Sequence, residues 1–143
     1  MTSHLSAALA RQVRNRAGNA CEYCQLPQEW QEATFHIDHI KPRAAGGDAS
    51  LDNLALACVT CSLRKAARIR VPDPATGRSV RLFHPRHDSW NEHFGFTRTW
   101  RIRAISSVGR ATVRALGMNR PAVVAIRQEL AAIGRFPPPQ LET

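Results

Sequence analysis

The two cysteine pairs, "CEYC" at Cys21 and Cys24 and "CVTC" at Cys58 and Cys61, constrain this chain more than any other feature. Four sulfurs in two CxxC pairs complete a tetrahedral thiolate shell, the usual structural zinc arrangement, with no position left open for a substrate. Thirty-three residues separate the pairs, so an ion bound there closes the intervening segment into a loop. Because the open chain largely lacks the site, the binding free energy becomes folding free energy. Iron accepts the same ligands, and four buried or redox-active cysteines are the alternative reading. Free thiolates suit a reducing compartment, which makes a cytoplasmic location the expectation.

With 143 residues the chain is expected to form one domain, 1–143, with a modest core. Its start, "MTSHLSAALARQVRNRAGNA", has scattered arginines and no continuous apolar run, so neither a signal peptide nor a membrane partner is expected. Leu5, Leu9 and Val13 give residues 3–17 one apolar helical face, ended by Gly18 and Asn19. Residues 31–40 read as a strand ended by Pro42. Gly46 and Gly47 make a turn, and "LDNLALAC" returns as a second strand. A helix over 62–70 then crosses them, and "VPDPATG" is a turn. The fold class expected is α+β: a small strand, strand, helix core at 21–70, stapled by the cysteines and flanked by an N-terminal helix and C-terminal helices.

Residues 79–134 form a basic extension. Its first part, 79–100, reads as irregular strand and loop with a satellite core of Phe83, Trp90, Phe94 and Phe96. Ser106 caps a helix ending near Gly117, and Pro121 starts another that runs to Gly134 with Val123, Ile126, Leu130 and Ile133 on one face. After "PPP", residues 135–143 are expected to be a flexible tail.

The formal charge of +9 is uneven: residues 1–61 carry five basic and six acidic side chains, residues 62–143 fifteen and five. Such a surface attracts nucleic acid, although the same excess also keeps a domain soluble. Inside the cysteine loop, "HIDHIKP" sets Asp38 beside His39. The acid offers a hard oxygen to a divalent cation and the imidazole takes a proton from water near neutral pH, the two requirements of phosphodiester hydrolysis. Neighbours on an ideal strand face opposite ways, so they share one phosphate only where the strand twists or ends, as Pro42 allows. A surface acid beside a packed imidazole is the other reading.

The ordered set CxxC, "HIDHIKP", "GG", "DNL", CxxC and "RK" resembles the HNH nuclease family, in particular its cysteine-bracketed members, over residues 21–68. "RLFHPR", "HF" and "GRATVRALGMN" are similar to small bacterial proteins of that family and extend the likeness over nearly the whole chain. The resemblance implies a ββα-metal finger in which Asp38 binds a catalytic Mg²⁺ or other divalent ion, His39 activates water and Asn53 orients the base loop. It also implies structural Zn²⁺ on Cys21, Cys24, Cys58 and Cys61. The activity implied is that of a metal-dependent DNA endonuclease or nickase acting on double-stranded DNA without a small-molecule cofactor.

The family places Asn or His directly after the last cysteine as a further ligand of the catalytic ion, and here Ser62 stands there. Its hydroxyl is a weaker ligand, and water fills such a position readily around Mg²⁺. A catalytically weak or inactive zinc finger that binds nucleic acid is therefore the competing reading, and a zinc-stapled protein-interaction domain a third. Ala66 occupies a position where the pattern often has glycine. His36, two residues before Asp38 on the same strand face, assists with metal or phosphate or is simply packed. Arg43, Arg64, Lys65 and Arg68 are expected on DNA phosphates, together with Arg110 and Arg114, which share a helix face that is otherwise an ordinary solvated one. His84, His87, His93, Asp88 and Glu92 are spaced too irregularly to read as another metal site, and packed or phosphate-facing side chains suit them better.

Overall fold

The computed structural model describes residues 5–139. The first helix, α1 (Ala7–Arg16), starts where the Ser6 hydroxyl accepts the Leu9 N–H at 3.0 Å. It buries Val13, rests Leu5 and Leu9 against the core, and ends at Ala17 before Gly18 and Asn19 at φ 62° and 56°. Residues 3 and 4 of the expected helix lie outside the described residues.

Strands β1 (His36–His39) and β2 (Leu54–Ala57) pair antiparallel, with Asp38 opposite Ala55 and His39 opposite Leu54. β1 is shorter than the expected 31–40, and the chain leaves it through one-turn 3-10 helices at Arg43–Ala45 and Leu51–Asn53. Helix α2 (Val59–Lys65) then crosses the pair. Expected over 62–70, it starts earlier because Cys58 caps it, its sulfur accepting the Cys61 N–H at 3.4 Å. It stops at Lys65 because Ala66 turns to φ 50°, ψ −130°, and Arg68 therefore lies beyond the helix.

The remainder forms two hairpins and two helices. β3 (Arg70–Pro72) pairs with β4 (Ser79–Arg81), and a short helix α3 (Trp90–His93) leads into β5 (Phe94–Phe96), which pairs with β6 (Ile102–Ala104). Helix α4 (Ser107–Leu116) is capped by Ser106 and closed by Gly117 at φ 61°, and α5 (Pro121–Ala132) starts at its proline, as the sequence suggests. No helix among the described residues is long and apolar enough to cross a membrane.

Packing departs from the sequence reading in three places. Phe83, Trp90 and Phe94 join the main core with Tyr23, Leu54, Leu56 and the cysteines, because the Trp90 indole N–H donates to the Tyr23 carbonyl at 2.8 Å. The separate small cluster is Val71, Leu82 and Ala111. On α5, Val123 and Leu130 are buried and Ile126 is partly so, but Ile133, past the end of the helix, is exposed, and Arg127 is buried in the helix. Phe136 packs on Phe96 and Trp100 at ring separations of 5.2 and 5.6 Å, which anchors the start of the expected tail. Residues 140–143 lie outside the described residues.

Candidate functional site

The four cysteines are fully or almost fully buried, and their sulfurs all lie within 4.8 Å of one another. Sulfurs about 2.3 Å from a tetrahedral ion stand about 3.8 Å apart, and Cys24 Sγ is 3.8 Å from Cys58 Sγ. None of the four is in a disulfide. The Cys24 N–H points at Cys21 Sγ at 3.4 Å, repeating the contact in the second pair. The donor set and its spacing fit a metal ion such as zinc. Arg127 is buried on α5. Burial lowers its guanidinium from the ordinary value, opposed by Cys24 and Cys61, and it donates to the carbonyls of Trp100 at 2.7 Å and Met118 at 2.9 Å while Nη1 is buried without a hydrogen bond among the described residues. Beside the cluster, Glu22 accepts the Leu56 N–H at 2.8 Å and pairs with Arg86, fastening the first cysteine pair to β2.

Away from the sulfurs, the end of β1 opens a cleft of about 400 Å³ lined by His36, Asp38, His39, Arg43, Ser62 and Ala66 among others. Asp38 and His39 thus converge on one space although they are neighbours on a strand. The Asp38 carboxylate is 9% exposed. Its Oδ2 accepts the Tyr23 hydroxyl at 2.9 Å and faces Lys65 Nζ at 3.2 Å, whereas Oδ1 accepts no hydrogen bond among the described residues. Lys65 Nζ also donates to the His39 carbonyl at 2.9 Å, so one cation fixes both residues at the strand end. Burial raises the Asp38 carboxyl above its ordinary value, against the pull of Lys65 and the Tyr23 hydroxyl. Burial lowers His39, opposed by Asp38 and reinforced by Arg43 and Lys65. This direction favours the neutral imidazole, whose Nε2 is buried and has no hydrogen-bond partner among the described residues.

Asn53 clasps the loop after His39. Its Oδ1 accepts the Lys41 N–H at 2.8 Å, and its Nδ2 donates to the carbonyls of Lys41 at 3.0 Å and Asp48 at 2.8 Å. Gly47 is required for this closure: a Cβ there would lie 1.8 Å from the Lys41 carbonyl oxygen and 2.8 Å from Asn53 Nδ2. The Ser62 hydroxyl reaches the same cleft and sits 2.8 Å from His36 Nδ1.

The expected phosphate-binding cations divide. Arg43, Arg64, Arg68 and Arg114 are exposed, with Arg43 on the cleft, the Arg64 guanidinium lying over Gly117, and Arg68 and Arg114 lining a second cleft of about 470 Å³. Lys65 is buried and engaged with Asp38, and Arg110 is clamped on Asp73 through contacts of 3.0 and 2.8 Å. Both are therefore structural partners of carboxylates rather than free cations. The histidines outside the cleft are also engaged: His84 Nδ1 accepts the N–H groups of Arg86 and His87, and His93 Nδ1 is 2.6 Å from Ser106 Oγ.

Tyr23 is the residue the sequence reading missed. Its only signal was its place between two staple cysteines, which carries it into the core beside Asp38.

No curated protein and no solved structure significantly matches the chain. Residues 21–68, from the first cysteine to just past α2, match the family model described as HNH endonuclease. This is the span that contains both the sulfur cluster and the Asp38 cleft, and it is an HNH endonuclease domain, a family whose members are generally nucleases.

Proposed function

We propose that the chain is a metal-dependent DNA endonuclease or nickase, with His39 taking the proton of the attacking water and Asp38 holding the catalytic divalent ion. The observation that carries this reading is the convergence of Asp38 and His39 on one open cleft, with Oδ1 unengaged and the following loop clasped by Asn53. A divalent ion bound there supplies positive charge to the scissile phosphate and its leaving oxygen. The protein supplies orientation. Lys65 holds the carboxylate and the His39 backbone, Asn53 holds the loop, and Arg43 faces a phosphate entering the cleft. Arg64, Arg68 and Arg114 extend the cationic surface along double-stranded DNA, a positioning role without base reading. The sulfur cluster, with zinc as its proposed ion, holds the loop and takes no part in the reaction.

Purified protein that retains its structural metal is expected to relax or linearise supercoiled plasmid with Mg²⁺ or Mn²⁺ between about pH 6 and pH 9, and His39→Ala to lose about 10²- to 10⁴-fold in rate without releasing that metal. An intact plasmid with folded, metal-loaded protein would leave the second reading, an inactive nucleic-acid-binding domain. That reading draws on Ser62, whose hydroxyl is already engaged with His36. Salt-sensitive DNA binding, weakened by charge reversal at Arg64 and Arg68, would identify it.

A further inference from the structure

His36 and Asp38 alternate onto the same face of β1, about 7 Å apart along the strand. His36 is exposed and lines the cleft. Its Nδ1 is held 2.8 Å from the Ser62 hydroxyl, which the first turn of α2 delivers to that spot. A histidine ring held at one nitrogen has its orientation set, and when the hydroxyl accepts the Nδ1–H the other nitrogen is left to coordinate; metal-ligating histidines are held in this way. On the facing acid, Tyr23 and Lys65 occupy Oδ2 and leave Oδ1. The cleft is thus lined by an imidazole and a carboxylate, each with one polar atom already braced and the other without a hydrogen bond among the described residues.

We propose that His36 Nε2 and Asp38 Oδ1 together bind the ion of the cleft, with Ser62 as the positioning residue that accepts the His36 Nδ1–H. This makes the site an imidazole–carboxylate site that takes Mn²⁺, Co²⁺ or Ni²⁺ ahead of Mg²⁺. Imidazole suits first-row transition ions, with affinity rising from Mn²⁺ through Co²⁺ to Ni²⁺, whereas Mg²⁺ favours oxygen donors and keeps its waters. The serine after the last cysteine then serves the imidazole instead of the ion. The assignment deepens the nuclease reading, because this ion is the one that reading requires.

The test is Mn²⁺ titration of the full chain after its content of cysteine-bound metal has been verified. Paramagnetic resonance gives the affinity, and electron spin-echo modulation gives nitrogen coupling to the bound ion. Wild type is expected to show histidine nitrogen coupling. His36→Ala and His36→Gln should lose it and bind Mn²⁺ about 10- to 100-fold more weakly, with a smaller change in competing Mg²⁺. Ser62→Ala should keep the coupling with a weakening of less than about tenfold, restored by Ser62→Thr. His39→Ala should retain both affinity and coupling. Unchanged Mn²⁺ affinity and coupling in the His36 variants, or their loss in His39→Ala, would overturn the assignment. The two readings fail separately: His36-dependent Mn²⁺ binding beside an intact plasmid sinks the nuclease, and plasmid cleavage with His36-independent binding sinks the ligand assignment.

Discussion

The sulfur cluster and the Asp38 cleft meet at α2, which carries Cys61 for the one and Ser62 for the other, yet they are built in opposite ways. At the cluster every donor is buried and supplied by the protein, and the backbone N–H groups of Cys24 and Cys61 point at sulfurs. At the cleft one carboxylate oxygen is braced from behind, its sister is left over, and an imidazole stands beside it. A closed shell holds the chain and excludes substrate, whereas an incomplete shell with a rigid back leaves room for a phosphate. β1, β2 and α2 are short, and Cys58 and Cys61 sit at the junction of β2 with α2, so the cleft is expected to depend on the cluster.

The largest effect should therefore come from the cluster. Cys58→Ser removes both a metal donor and the sulfur that caps α2. Structural zinc contributes about 10 to 16 kcal/mol in small zinc-binding domains, more than the roughly 5 to 15 kcal/mol that holds a typical fold. Loss of metal by elemental analysis and loss of the cooperative melt by circular dichroism are expected together. A variant that melts normally without metal would show that the core of Tyr23, Leu54, Phe83 and Leu116 stands without its staple.

The brace of the cleft comes next. Lys65→Met leaves the buried Asp38 carboxylate with the Tyr23 hydroxyl alone, and breaking a buried pair from one side typically costs about 3 to 5 kcal/mol. Denaturant unfolding should report a drop of that order while the cysteine-bound metal stays in place. A loss below about 1 kcal/mol would mean that water reaches the pair and that it behaves as a surface ion pair.

These two regions were unequally legible in the sequence. The CxxC spacing carries its chemistry on its face, because no other arrangement suits four paired sulfurs as well. Asp38, His39 and Asn53 could be read as an ordered set, and the caps Ser106 and Gly117 and the leading Pro121 from local backbone rules. What braces the cleft was not legible. Lys65 and Tyr23 reach Asp38 across separations of 27 and 15 residues, and a lysine on a basic helix looks like a solvated or phosphate-facing side chain until the fold turns it inward. Arg110 misled in the same way, since its i, i+4 relation to Arg114 suggested a shared face and gave no hint of Asp73. Periodicity finds faces, and it does not find which buried charge waits opposite them.

Arg110 and Asp73 offer a milder, pH-dependent comparison with the cleft. Hydrogen bonds from Arg110, then from the Ala75 N–H, hold the Asp73 carboxyl below its ordinary value, whereas burial pushes Asp38 above it. A carboxyl depressed in the folded state contributes stability that is fully present above its unfolded-state value and is lost as pH falls toward the folded one. Asp38 has the opposite sign, its burden easing as pH falls through its raised value. Acid unfolding followed below about pH 4 should therefore flatten in Asp73→Asn. An unchanged acid limb in that variant would mean that the Asp73–Arg110 clamp is not what holds the β3–β4 hairpin to α4.

The smallest effect tests the hinge between the two regions. Ala66 ends α2 at φ 50° and ψ −130°, a conformation that costs an L side chain about 1 to 3 kcal/mol and glycine little. The turn is imposed from both sides, by Lys65 reaching back to Asp38 and His39 and by the chain ahead entering β3. Ala66→Gly removes that strain and also lets the unfolded chain gain entropy, which takes back about 0.4 to 1 kcal/mol. A net stabilisation of about 1 kcal/mol is expected, visible as a small rise in Tm with plasmid cleavage preserved. A decrease would show that Ala66 contributes packing at the cleft rim that outweighs its backbone strain, and the rim would then be part of the cleft's rigid back instead of its hinge.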